Sequence, residues 1–244
     1  MYRLFLLILM VLMLSSCFQK DMIEGTGSDV AKEYRFDPAS DELLVCNMFQ
    51  VELNDSLPEG VVYISADANL MRYVEVKNRG GRLSLQLEGW YRNKKGRVHA
   101  TMAPASFRKF VALGASSIRS SERMNQYELE VRVSGASSVV FDRVEASHVH
   151  AEATGASSVV IAGRGETAKL ISVGASKVDA QNLVCNLAEV KAVGASTLKV
   201  YASEEVTGHS TGVSQVECFG NPSDCEVKTT GVSTIKIVSS GMQS

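Results

Sequence analysis

The sequence predicts an all-β protein, a right-handed parallel β-helix with coils of about 20 residues, and three observations support this prediction. A Gly-Ala-Ser or Gly-Val-Ser triplet recurs seven times. Apolar and polar side chains alternate on both sides of each triplet. The spacing between successive glycines is nearly constant, at 21, 20, 19, 20, 18 and 19 residues. The seven glycines, which we interpret as structural corners, are Gly114, Gly135, Gly155, Gly174, Gly194, Gly212 and Gly231.

The residues before each glycine predict a strand with one buried face. The side chain four positions earlier is small or apolar in every copy: Phe110, Val131, Ala151, Leu170, Val190, Gly208 and Val227. The side chain five positions earlier is polar or charged: Lys109, Glu130, His150, Lys169, Glu189, Thr207 and Glu226. A period of two is the signature of a half-buried strand.

A second strand follows each corner. The residue four positions after the glycine is always aliphatic: Ile118, Val139, Val159, Val178, Leu198, Val216 and Ile235. Glycine suits the corner because it adopts backbone angles that cost other residues energy. The serine two positions after each glycine forms a predicted ladder, in which stacked hydroxyls can satisfy one another.

One strand–corner–strand unit cannot bury its apolar face alone, so the copies are expected to stack. Parallel coils about 4.8 Å apart would turn the apolar positions into continuous core columns. The alternative is an antiparallel meander or sandwich with the triplets as hairpin turns. Hairpins favour Asn-Gly or Asp-Gly at such turns, and an antiparallel sheet gives no reason for a 20-residue period.

The chain is expected to form one continuous domain over residues 34–240. Residues 111–240 carry the regular repeats. Residues 34–110 lack the triplet but contain alternating segments such as LSLQL at 83–87. We interpret them as irregular β-rich coils that also cap the N-terminal end, since a solenoid needs its unpaired edges covered.

The first residues predict an export signal and a lipid anchor. Residues 4–14 are an apolar run of eleven, too short to span a bilayer, followed by Ser15-Ser16-Cys17. This end resembles a bacterial lipobox, so residues 1–16 are the predicted lipoprotein signal peptide and Cys17 the acylated residue. Residues 17–33 would form a flexible tether to the membrane, and the protein would be held at the outer membrane, on the periplasmic face or the cell surface. The alternative is an ordinary signal peptide.

The net charge of the chain argues against one class of partner. The net charge of −2 gives no basic field, which argues against nucleic acid as a partner.

In an oxidising envelope, Cys218 and Cys225 could form a disulfide across the turn between them. They could equally be two buried thiols.

No pattern in the chain predicts catalysis. His148, His150 and Glu152 lie on one strand face and could bind a transition metal, but their outward direction favours a solvated charged face. The outward columns lack the acidic cluster of a polysaccharide-cleaving enzyme, and the serines lack a partner base. We therefore expect no metal, no cofactor and no enzymatic activity.

One loop has the composition of a binding site. Residues 89–97 hold the only tryptophan, an adjacent tyrosine and four cations. Aromatic rings stack on sugars, and cations pair with acidic glycans or lipid headgroups. The alternative is a hairpin tip with one ring tucked under the cap. The candidate ligand-binding residues are Trp90, Tyr91, Arg92, Lys94 and Lys95.

The segments YISADANL at 63–70 and GRLSL at 81–85, together with the triplet series, form a combination that spans about residues 34–240. In this combination the chain resembles the family called putative auto-transporter adhesin, head GIN domain. The resemblance implies a β-helical extracytoplasmic domain with no assigned catalytic residue. A literal Gly-Ile-Asn does not occur in the sequence.

These observations favour a lipid-anchored, non-enzymatic binding module for a surface glycan or another envelope component. The first alternative is a scaffold whose coil ends or flat faces pair with further copies of the chain, as an oligomer. A polysaccharide-acting enzyme is the second alternative.

Overall fold

The computed structural model describes residues 23–89, 91–92 and 98–238, and strands dominate this part of the chain. A 3₁₀ helix occupies Met71–Tyr73. Among the residues described, no helix is long and apolar enough to cross a membrane. The strands are β1 (Ile23–Glu24), β2 (Asp29–Arg35), β3 (Glu42–Cys46), β4 (Phe49–Leu53), β5 (Val61–Asp67), β6 (Val74–Arg79), β7 (Arg82–Leu87), β8 (Tyr91–Arg92), β9 (Val98–Met102), β10 (Lys109–Leu113), β11 (Ser117–Gly135), β12 (Ser138–Gly155), β13 (Ser158–Gly174), β14 (Lys177–Gly194), β15 (Thr197–Gly212), β16 (Gln215–Phe219), β17 (Asp224–Gly231) and β18 (Thr234–Ile237).

The repeats form a parallel β-solenoid, as predicted. Each long strand from β11 to β15 starts just after one corner serine and ends at the next corner glycine. Val139 pairs in register with Val159, and Val159 pairs with Val178. All three side chains are at most 1% exposed and belong to one core. Equivalent positions therefore lie directly over one another, and the alternative of antiparallel hairpins at the triplets is wrong.

The pairing between neighbouring long strands is irregular part-way between the two corners. The register between neighbouring coils shifts there, as between Phe141 and Val144 in the pairing of β12 with β13. Such irregularities bend a strand and increase its twist. They let one strand serve as the second strand of one coil and the first strand of the next.

The corners require glycine for two reasons. Gly135 has a φ of +83°, which an L side chain adopts only at a cost. A Cβ atom placed on Gly135 would also lie 2.6 Å from the carbonyl oxygen of Gly114 in the coil below. The close approach of the two coils permits a hydrogen bond between them, because the amide of Ala136 donates to that same oxygen at 2.7 Å.

The serine ladder is bonded differently from the prediction. Six of its members are buried, but their hydroxyls donate mainly to backbone carbonyls rather than to one another. Ser176 Oγ donates to Val173 O and to Ala153 O of the coil below, both at 3.0 Å. Ser214 and Ser233 do share a 3.2 Å hydroxyl contact. At five of the seven corners the serine hydroxyl donates to the carbonyl three residues before it, whereas the buried Ser196 Oγ has no hydrogen-bond partner among the described residues.

The N-terminal half adds two coils whose order in space differs from their order in the chain. Strands β3 and β4 stack directly below β10 and the start of β11. Strands β7 and β9 stack below β3 and β4, although they come later in the sequence. The β3–β4 corner uses Asn47 and Met48, at φ of 54° and 66°, in place of the glycine triplet.

Antiparallel strands close the N-terminal end. β6 covers the edge of β7, β5 covers the edge of β9, and β2 covers β5. The predicted flexible tether over residues 17–33 is therefore wrong for part of its length, because β1 and most of β2 lie within it. The backbone of β2 is held by pairing with β5 even though most of its side chains are exposed.

The C-terminal coil contains the cysteine pair. Cys218 and Cys225 are free thiols whose Sγ atoms lie 3.7 Å apart. Burial, and then the nearby Cys225, raise the pKa of Cys218 to about 12. The two thiols are close neighbours, and the disulfide between them stays a prediction.

Candidate ligand-binding groove

A shallow groove of about 400 Å³ runs across the outer surface of β11 to β15. In each coil, the residues seven and five positions before the corner glycine point outward, and the residue between them points inward. The groove lies along these outward-pointing residues. Strand alternation creates this arrangement in every coil, and stacking joins it into a channel. The residues that line this groove are Glu128, His148, Val149, His150, Thr167, Ala168, Lys169, Leu187, Ala188, Glu189, Glu205 and Thr207.

An aromatic pair borders the groove. Tyr127, which is 75% exposed, meets the ring of His148 edge-on, with centroids 5.1 Å apart and an interplanar angle of 87°. The two ring nitrogens of His148 contact Thr167 Oγ1 at 2.8 Å and Tyr127 Oη at 3.3 Å. These contacts fix the imidazole and hold the tyrosine ring beside the groove.

The middle of the groove holds polar groups of both signs. Lys169 Nζ donates to Glu189 Oε2 at 2.9 Å, and both side chains remain about half exposed. His150 lies in register between Glu130 and Lys169. Its Nε2 is buried and has no hydrogen-bond partner among the residues that the structure describes. The groove thus presents donors and acceptors that a bound molecule can use.

The groove also contains apolar surface. Leu187 is 40% exposed, and Ala168 and Ala188 lie beside it. Binding sites for small molecules combine apolar lining with a few placed polar groups. A sugar ring has the matching character, with apolar C–H faces and hydroxyls at its rim.

Charge pairs continue the outward columns toward the N-terminal end. Lys109 lies 3.8 Å from both Glu42 and Glu130. Asp41 accepts a 2.8 Å hydrogen bond from Arg108, which holds the pKa of Asp41 below its ordinary value. The charged groups of this region pair with one another, and we place no ligand there.

A second concave surface, of about 430 Å³, lies on the face after the corners. Its lining includes Gln50, Glu52, Ser117, Ser138 and Val140. Most of its lining residues are polar, and no aromatic ring other than the imidazole of His99 occurs among the described residues that line it. The first groove is the better candidate.

The predicted lipidation site and three of the five predicted ligand-binding residues lie beyond what the structure describes. Trp90, Lys94, Lys95 and the lipidation site Cys17 are outside the described residues. Tyr91 and Arg92 are described only as β8, which pairs in parallel with β1.

The predicted histidine face does point outward, as the alternation requires. His148 and His150 enter the groove, whereas Glu152 instead lies 3.9 Å from Arg132. Within the described part of the chain, no group of three His, Cys, Asp or Glu residues is arranged to hold a metal.

Sequence reasoning missed Tyr127. The signal for it was present, because the position eight before each glycine is otherwise Ser, Glu or Asn: Ser106, Tyr127, Ser147, Glu166, Asn186, Glu204 and Ser223. An aromatic residue in a wet column has no core role to explain it. The contact with His148 depends on the coil above and is invisible from spacing alone.

The fold and the groove define this protein as a parallel β-solenoid with a ligand-sized channel on its side. The chain belongs to the family described as putative auto-transporter adhesin, head GIN domain, whose model matches residues 41–222. None of the curated proteins matches the chain.

Solved structures share the fold at low sequence identity. A putative adhesin from Bacteroides fragilis is 16% identical, with a TM-score of 0.80 over 88% of this chain and 100% of that one. A putative lipid binding protein from Parabacteroides distasonis is 15% identical, with a TM-score of 0.70 over 89% and 100%. A putative adhesin from Parabacteroides merdae is 17% identical, with a TM-score of 0.64 over 90% and 100%. At these identities the likeness establishes the fold alone.

Proposed function

We propose that this protein is a non-enzymatic, lipid-anchored adhesin of the cell envelope that binds a neutral glycan in the groove. Membership of an adhesin family supports a binding role. The observation that carries the glycan assignment is the exposed ring of Tyr127, held against His148 beside a partly apolar groove.

The charge of the groove favours a neutral ligand. Three carboxylates line it, from Glu128, Glu189 and Glu205, against the single ammonium group of Lys169. An acidic glycan would meet like charges there, whereas sugar hydroxyls can donate to carboxylates and accept from lysine. The tyrosine ring offers a flat surface for the apolar face of a sugar.

The test is binding of the purified protein to an array of neutral and acidic oligosaccharides. We expect retention on neutral hexose oligosaccharides, and Tyr127→Ala should weaken it about tenfold, equivalent to about 1.4 kcal/mol. Because Tyr127 is 75% exposed, its loss should change the free energy of unfolding by less than about 0.5 kcal/mol.

The matched control is Tyr63→Ala, which removes a 38% exposed tyrosine from β5 in the cap and should leave retention unchanged. Equal retention of wild type and Tyr127→Ala would reject the groove. The loop around Trp90 is our second proposed contact, and Trp90→Ala tests it in the same assay. If the protein bound lipid vesicles and did not bind glycans, the ligand would be a lipid rather than a glycan.

A further inference from the structure

The C-terminal end of the solenoid has no counterpart of the N-terminal cap in the described part of the chain. β17 pairs with β15, and β18 pairs with β16, each along one edge only. No described strand lies on the other edge of either. The end coil therefore offers a row of backbone donors and acceptors to another strand.

The core columns reach this end without being covered by any residue that the structure describes. Val206 and Val216 in the coil below are fully buried. In the end coil, Cys225 and Ile235, which pair in register with Val206 and Val216, are only partly buried, and Ile237 is 53% exposed. The same positions that form the core elsewhere thus form an apolar end face.

The charged side chains beside Val227 also lack ion-pair partners in the described part of the chain. In inner coils these outward columns pair from coil to coil, as in Lys169 with Glu189 at 2.9 Å. Glu226 and Lys228 are exposed, and neither forms an ion pair with any residue that the structure describes. They flank Val227 with opposite signs on the outward face of β17.

We propose that β17 is a self-association edge, which pairs antiparallel with β17 of a second copy of this chain about a two-fold axis at Val227. In that register Glu226 of each copy stands opposite Lys228 of the other. Opposite charges directly across an antiparallel pair are stabilising, and like charges there are destabilising. A two-fold contact joins a surface to itself, and the sequence Glu-Val-Lys is self-complementary in this sense.

This pairing deepens the proposed adhesive function. The N-terminal cap contains β2, so a tail-to-tail pair places the β2 strands of its two copies at opposite ends. With the lipid anchor proposed above, such a pair would bridge two envelope surfaces. The bridging role rests on that anchor, whereas the pairing itself does not.

The test uses full-length chains purified in detergent, one with natural isotopes and one labelled with ¹⁵N, mixed in equal amounts. A zero-length carbodiimide joins a carboxylate to an amine only when the two are in contact. We expect cross-linked peptides that join Glu226 of one isotope to Lys228 of the other. Glu226→Lys should reduce these mixed-isotope links at least tenfold, because the substitution removes the reacting carboxylate and places a second positive charge opposite Lys228 of the other copy.

Mixing the Glu226→Lys and Lys228→Glu chains should restore the links, since each supplies the charge that the other needs. This rescue also shows that both variants fold. The matched control is Glu204→Lys, the same charge change at an exposed position of the preceding coil, which should leave linking unchanged.

Three results would overturn the proposal. They are the absence of mixed-isotope links in the wild type, a mixture of the Glu226→Lys and Lys228→Glu chains that fails to restore the links, and links that form only after residues 239–244 are deleted. The last result would show that this segment covers the edge in the native chain. None of these outcomes bears on the groove, whose test is glycan retention.

Discussion

At the scale of single residues, the corner glycines show how a backbone conformation and a close contact act together. Positive φ alone occurs at many glycines of this chain, including Gly80 at +58°, where an added Cβ would meet nothing within 4 Å. At Gly135 an added Cβ would press on a carbonyl of the coil below. The repeat therefore requires more than a flexible residue, because each corner is also a coil-to-coil contact.

Gly135→Ala should therefore destabilise the protein more than Gly80→Ala. The Gly80 variant carries only the left-handed backbone cost, about 1–2 kcal/mol. The Gly135 variant adds displacement of a backbone carbonyl that accepts the hydrogen bond of Ala136. Urea unfolding followed by circular dichroism measures both losses, and equal losses would contradict the role of the close approach.

At the scale of elements, the end strands β16 and β17 are joined through the Cys218–Cys225 contact as well as through the turn. The thiols are close enough to react after a small movement. With oxidised glutathione, the two protein thiols would form one disulfide and release two glutathione thiols. Such a short closed loop should add about 2 kcal/mol to stability.

We expect oxidation to remove two hydrogen atoms from the protein mass and to raise the thermal midpoint, with Cys225→Ser abolishing both effects. Burial holds the pKa of Cys218 at about 12, so this residue is a thiol at neutral pH. Since the thiolate is the attacking species, any part of the reaction that begins at Cys218 should become faster as the pH rises. Intact-mass spectrometry measures the rate of oxidation at several pH values. An unchanged mass after prolonged oxidation would reject the predicted disulfide.

At the scale of the whole molecule, the two ends of the solenoid differ. Antiparallel strands close the N-terminal end, whereas the last described coil exposes edge and core positions. Each coil contacts mainly its neighbours, so the features of the ends are set locally rather than by the length of the stack. This polarity places the antiparallel cap and the proposed pairing edge at opposite ends of the described coils.

Replacing Cys17 tests the anchor. Cys17→Ser removes the proposed acylation site, so the protein should move from the membrane fraction to the soluble fraction of the envelope. Fractionation and immunoblotting measure the change, with Cys46→Ser as the matched cysteine control that should stay with the membrane. Equal membrane retention of both variants would contradict lipidation at Cys17.

The sequence by itself determined the stacked coils, their corners and the direction of the side chains in the strands on either side of each corner. These follow from a period of two within strands and of about 20 between them, which are local properties. Only the tertiary structure decided the placement of β7 and β9 beneath β3 and β4, the bonding of the serines to carbonyls and the Tyr127–His148 contact. Each of these depends on which coil lies beside which, and the spacing of residues along one chain does not encode that neighbour.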